Sequence, residues 1–136
     1  TAIQRMLDYD YTIQRETPSV AAIVAPTSGN KFEKFFWGGD EVMIPLYKNT
    51  ADAKKAHPNA DVLLNFASFR TAYDVTMEAL EIGGFSSMMI TAEGIPERLA
   101  RKMNATAREK GVVVIGPATV GAITPGAFKV ANIGGT

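Results

Sequence analysis

The chain has 136 residues, 14 basic and 14 acidic side chains and a formal net charge of zero, so it carries no broad basic field for nucleic acid or an anionic membrane. It has one histidine and no cysteine, which excludes a disulfide scaffold, a thiol nucleophile and a cysteine–zinc centre. The length suits one domain with its own core, and no apolar run reaches membrane-spanning length. No charged leader with a cleavage site opens the sequence, and Thr1 stands where an initiator methionine would, so a cytoplasmic fragment of a longer protein is expected.

Residues 1–18, "TAIQRMLDYDYTIQRETP", lack a clean period. Ile3, Met6 and Leu7 offer a short helical face and Pro18 punctuates, so this stretch reads as a lead-in to a domain over 19–136. "SVAAIVA" is small, β-branched and apolar throughout, as for a strand covered on both faces. "EKFFWGG" reads as packing, with Phe35, Phe36 and Trp37 as a hydrophobic plug. "EVMIPLY" is a second strand, and Pro45 moves it towards a sheet edge because proline cannot donate to the ladder. "NTADAKKAHP" is a short helix capped by Asn49 or Thr50 and stopped before Pro58. His57 at its end reads as a solvated surface histidine.

"DVLLNFA" is a third strand. "TAYDVTMEALEIGG" is a helix with Tyr73, Met77 and Leu80 on one face, closed by Gly83 or Gly84. "SSMMIT" is a fourth strand. Pro96 suits the first turn of the next helix and Glu97 its positive end, with Leu99, Met103 and Ala107 on the inner face and Gly111 as the stop. "VVVIG" is a fifth strand. The tail "AITPGAFKVANIGGT" reads as a turn, a short strand and a glycine-rich exit. Strands alternating with helices, themselves lacking polar alternation, predict a parallel sheet with helices on both faces.

In such sheets ligands bind beyond the carboxyl ends of the strands. Four loops qualify. In "PTSGNK", Thr27, Ser28 and Gly29 could offer hydroxyls and amides to an anion; a plain turn explains them equally well. The segment is neither G-x-G-x-x-G nor a Walker loop, so no ATP site is read here. In "ASFR", Ser68, Phe69 and Arg70 place a hydroxyl, an aromatic ring and a guanidinium next to a helix start, good chemistry for phosphate. The competing reading is a surface arginine with Ser68 as a helix cap. In "TAEGIP", Glu93 is either a carboxylate stabilised by a helix start or a ligand contact, with Gly94 admitting close backbone approach. "GPATVG", Gly116 to Gly121, lays out backbone for a small anion or makes a sharp turn. With its one histidine away from these loops, the chain holds neither a Ser–His–Asp arrangement nor a transition-metal site.

Taken together, "NFASFR", "ITAEGIP" and "GPATVGAITPGAFKVANIGGT" resemble the CoA-binding domain of the ATP-citrate lyases and, more widely, of succinyl-CoA synthetase α subunits. "RMLDYDY", "ETPSVAAIV" and "KFFWGGDEVMIP" are nearer the lyases. The resemblance covers nearly the whole chain from Ile3 and implies a Rossmann-like α/β fold. It implies a parent enzyme that converts citrate, CoA and ATP to acetyl-CoA, oxaloacetate, ADP and phosphate by way of a phosphohistidine and citryl phosphate. ATP and Mg would be bound by parts outside this sequence. The family's phosphorylated histidine lies further along, His57 does not match it, and the chain alone is expected not to turn over.

By position, Ser68, Phe69, Arg70 and Thr71 resemble the loop on CoA's phosphates. Thr91, Ala92, Glu93, Gly94 and Ile95 resemble the loop beside the adenine. Thr27, Ser28 and Gly29 match the first CoA loop, in a less glycine-rich form than the synthetases have. Gly116, Pro117, Ala118, Thr119, Val120 and Gly121 resemble the floor of the citrate and acyl-phosphate site. Implied partners are the remaining domains or a partner subunit of an oligomeric lyase. A succinyl-CoA or citryl-CoA synthetase, or a non-catalytic CoA or nucleotide sensor, are the alternatives.

Overall fold

The computed structural model describes residues 2–119, 121–124 and 128–131. They divide into two compact units, one of Thr1–His57 with Gly121–Thr136 and the other of Pro58–Val120.

In the first unit the opening stretch is a helix, α1 (Ala2–Thr12), with Met6, Leu7, Tyr9 and Asp10 buried. Its Leu7 joins Phe35 and Ile44 in a core flanked by Ile3, Val20, Ile23, Trp37 and Val42. The strands are β1 (Ile23–Val24), β2 (Phe32–Trp37) and β3 (Asp40–Tyr47), in the order β1-β3-β2. The plug expected around Trp37 is therefore strand β2, antiparallel to β3. Its alternation separates the neighbours: Phe35 is buried and Phe36 exposed. The turn at Gly38 has φ +61°, and a Cβ there would run into the Tyr11 ring. Gln4 pairs its carboxamide with the main chain of Phe36, donating to its carbonyl and accepting from its N–H at 2.9 Å each. A side chain thus occupies part of an open strand edge.

Pro45 corrects the edge expectation, since β3 is central. Leu46 donates to Lys31 on the β2 side, so the alternation of the strand turns the preceding Pro45 nitrogen away from β2. On that other side pairing with β1 starts only at Leu46, so no ladder hydrogen bond is lost. Asp10 Oδ2 accepts from Ser19 N at 2.8 Å and from Ser19 Oγ at 2.5 Å, tying the turn after α1 back to it. Helix α2 (Thr50–Ala56) is capped by Asn49, whose Oδ1 accepts from Asp52 N at 2.8 Å. His57 is not a solvated histidine: it is half-buried, its Nε2 3.0 Å from the Tyr47 hydroxyl and its ring edge-on to that tyrosine. The tail holds two strands where one was expected, β7 (Gly121–Thr124) antiparallel to β8 (Phe128–Ala131). The glycine-rich exit at 132–136 lies outside the described residues.

The second unit is the parallel one. Here β4 (Val62–Asn65), β5 (Ser87–Ile90) and β6 (Val113–Ile115) lie in the order β4-β5-β6, joined by α3 (Ala72–Ile82) and α4 (Glu97–Glu109). All pairings are parallel, with Asn65 opposite Ile90 and Met89 opposite Ile115. Ala79, Leu80, Met88 and Ala107 form one core cluster, and Ala72, Ile90 and Met103 a second. Thus α3 and α4 press on the side of β5 that carries Met88 and Ile90. Gly83 caps α3 with φ +80°. The expected α/β class and parallel sheet flanked by helices are present, but the first two expected strands belong to a separate mixed sheet. No helix among the described residues is long and apolar enough to cross a membrane.

Candidate functional site

Because β4, β5 and β6 run in the same direction, their carboxyl ends share one edge of the sheet. Loops 66–71, 91–96 and 116–119 leave from that edge. Main-chain bonds link them: Thr91 N donates to Asn65 O at 3.1 Å, Ala118 N to Ala92 O at 3.0 Å and Thr119 N to Ile90 O at 3.2 Å. A Cβ on Gly116 would run into the Ile90 carbonyl, so the third loop lies directly on the end of β5.

In loop 66–71 the Ser68 carbonyl accepts from Thr71 N and Ala72 N, at 3.0 and 2.8 Å, and so starts α3. The N-cap residue is Thr71, without a side-chain cap bond. The reading of Ser68 as a side-chain cap is thereby replaced by a main-chain one. Phe69 is 49% exposed, and the Arg70 guanidinium carbon lies 5.6 Å from its ring centroid. Among the described residues Arg70 has no carboxylate partner, so its charge is open to an anion.

In loop 91–96, Gly94 has φ +86°, which only glycine adopts cheaply, and a Cβ there would lie 3.7 Å from Phe69 Cγ. The Phe69 ring therefore rests on the second loop, and these two sequence-predicted segments meet. Glu93 is exposed. Helix α4 starts only at Glu97, after Pro96 as N-cap rather than inside the first turn, and Glu97 is the acidic residue of that turn. Glu97 reaches Arg101 at 2.7 Å. The helix dipole thus accounts for Glu97 and not for Glu93.

The third loop differs from its expected use. Pro117 has no N–H, the Ala118 amide is spent on the second loop and the Thr119 amide on the last residue of β5. Those two positions offer shape, not anion-binding donors. Val120 lies outside the described residues, and Gly121 begins β7 in the other unit. The first loop is also in the other unit. There Ser28 N donates to Ala25 O at 3.1 Å and Ser28 Oγ accepts from Asn30 N at 3.2 Å, so its polar groups serve the turn itself. Thr27 and Gly29 are exposed.

Sequence reasoning passed over Asn65, at the carboxyl end of β4 and only 3% exposed. Its Nδ2 donates to Ala72 O at 3.0 Å and to Thr76 Oγ1 at 2.9 Å, and its Oδ1 accepts from Ala67 N at 3.0 Å. The signal was present: an asparagine between an apolar strand and a Ser-containing loop commonly bonds the backbone two residues on.

No protein-family model matches the chain. Among known proteins it is 55% identical over 134 residues to the ATP-citrate synthase of Bos taurus, covering 98% of this chain and 12% of that protein. It is 48% identical to the probable ATP-citrate synthase subunit 1 of Schizosaccharomyces pombe, covering 22% of it. Two solved structures superpose with TM-scores of 0.93 at 50% identity over 96% of this chain and 21% of theirs. One is a variant of Methanosaeta concilii ATP citrate lyase in complex with (3S)-citryl-CoA, the other the Methanothrix soehngenii ATP citrate lyase in complex with citrate and coenzyme A. The chain spans 12% to 22% of the length of these curated relatives. Over nearly all of its own length, then, the chain is similar to one stretch of the ATP-citrate synthases.

Proposed function

We propose that this chain is the CoA-binding portion of an ATP-citrate lyase, cytoplasmic and joined to further domains or a partner subunit in an oligomer. In this reading residues 1–18 lead into a CoA-binding domain over 19–136. The parent enzyme converts citrate, CoA and ATP to acetyl-CoA, oxaloacetate, ADP and phosphate, with ATP and Mg held elsewhere.

The observation that carries the reading is the exposed Arg70, with no acidic partner among the described residues and its guanidinium carbon 5.6 Å from the Phe69 ring centroid, at the carboxyl edge of a parallel sheet. CoA presents phosphates joined to an adenine. A guanidinium gives phosphate paired, charge-assisted hydrogen bonds, and the ring beside it offers an apolar face. Ser68 and Thr71 add hydroxyls beside the α3 N-terminus, whose dipole favours anions. Thr91, Ala92, Glu93, Gly94 and Ile95 form the wall for the adenine end. Gly116, Pro117, Ala118 and Thr119 form the floor on which citrate or citryl phosphate meets the CoA thiol. Identity near one half with ATP-citrate synthases, and structural likeness to two ATP citrate lyases, favour the lyase over a synthetase or a sensor.

Calorimetric titration of CoA into the chain tests this. Arg70→Ala is expected to weaken binding about tenfold or more, the loss of one charged hydrogen-bond partner. Unchanged affinity would remove Arg70 from the site, and no CoA binding by the unaltered chain would sink the CoA-binding reading.

A further inference from the structure

We infer that Asn65 is the positioning residue of this site, its buried carboxamide clamping both ends of loop 66–71 and thereby setting where Phe69 and Arg70 stand. The inference rests on the CoA-binding reading. The loop leaves β4 at Asn65 and enters α3 at Ala72. One side chain holds both junctions. Oδ1 takes the Ala67 amide at 3.0 Å, at the start of the loop. Nδ2 gives its hydrogens to Ala72 O at 3.0 Å and Thr76 Oγ1 at 2.9 Å, in the first turns of the helix. The Thr76 hydroxyl donates in turn to Ala72 O at 2.8 Å, so the network is closed.

The chemistry asks for a carboxamide, with two donors and an acceptor on one short stem. Aspartate supplies no donor when ionised, and glutamine adds a methylene that a closed network has no room for. Asn65, Ala72 and Thr76 are all buried, so each unmade bond would leave a polar group without water to replace it. The same residue reaches the second loop through its carbonyl, which accepts from Thr91 N at 3.1 Å and Thr91 Oγ1 at 3.3 Å. Phe69 and Arg70 are exposed, so their placement depends on how the loop's ends are held.

Asn65→Asp in the full chain is the test, read by CoA calorimetry, by urea unfolding and by amide exchange of residues 66–71 without ligand. At neutral pH the carboxylate cannot donate to Ala72, loop exchange quickens, and CoA affinity falls about tenfold. Acidification protonates the new carboxyl and restores one donor, so the gap to the unaltered chain narrows as pH falls. The side-chain and main-chain groups that meet the carboxamide belong to Ala67, Ala72 and Thr76, none of which titrates. A folded Asn65→Asp chain that binds CoA like the original, or shows a pH-independent deficit, overturns the inference.

If Asn65→Asp does not fold, Thr76→Val removes only one partner of Nδ2 and is expected to weaken CoA about threefold; unchanged affinity there also overturns it. If the unaltered chain binds no CoA, the function proposed above fails. Ligand-free exchange of 66–71 still decides the clamp, and unaltered exchange in Asn65→Asp refutes it.

Discussion

The two sheets of this chain have the same number of strands and opposite consequences for a binding site. In β4-β5-β6 every strand points the same way, so three loops emerge side by side and are tied by main-chain bonds to a neighbouring loop or to the end of the neighbouring strand. In β1-β3-β2 the antiparallel β2–β3 pair sends successive connections to opposite ends. At its own sheet edge the loop at 26–31 after β1 is joined only by the short link 48–49 after β3, which is parallel to β1, and Ser28 N and Oγ are engaged within the turn. Candidate binding groups accumulate where strand directions agree, whatever the loop composition.

Changes placed in the two sheets can break or sharpen this contrast. The largest effect is expected from Met103→Ala, which empties a fully buried position behind Ile90 and should cost about 2–5 kcal/mol in urea unfolding. Its CoA affinity should fall with the folded fraction, whereas Leu7→Ala in the other core should destabilise without altering the affinity of the molecules that remain folded.

Gly94→Val comes next. It forces a β-branched residue to φ +86° against Phe69, a strain of roughly 1–3 kcal/mol. Weaker CoA binding with near-normal circular dichroism is the expected signature; wild-type affinity would detach loop 91–96 from the site. The smallest effect belongs to Ser28→Ala, about threefold or less in CoA affinity, because its hydroxyl already serves Asn30. A tenfold loss there would restore the first loop to equal standing with Arg70.

Several features were legible from residues alone. The helices α2, α3 and α4, their stops at Gly83 and Gly111, and the three parallel strands follow from periodicity and punctuation. Strand β2 was hidden because a hairpin strand with one buried face shows little more than Phe35 as its inward residue, and its charged neighbours look like surface. Pro45 misled for a related reason. The rule against proline in a central strand concerns a lost ladder bond, and here the second partner begins one residue later. Glu93 looked like a helix-start carboxylate until the start of α4 was located at Glu97.

The sequence by itself determined the α/β class, the alternation of strands and helices from β4 to β6 and the rim segments "ASFR" and "AEGIP", since these depend on local pattern and on the direction rule for parallel strands. Tertiary structure alone decided that Phe69 rests on Gly94, that the amides of Ala118 and Thr119 are consumed by Ala92 in the neighbouring loop and by Ile90 at the end of β5, and that the Asn65 carboxamide bonds Ala67 and Ala72 on either side of loop 66–71. The physical reason is that a hydrogen-bonding group has several possible partners along a chain, and only folding, by excluding water from most of them, selects which one it keeps.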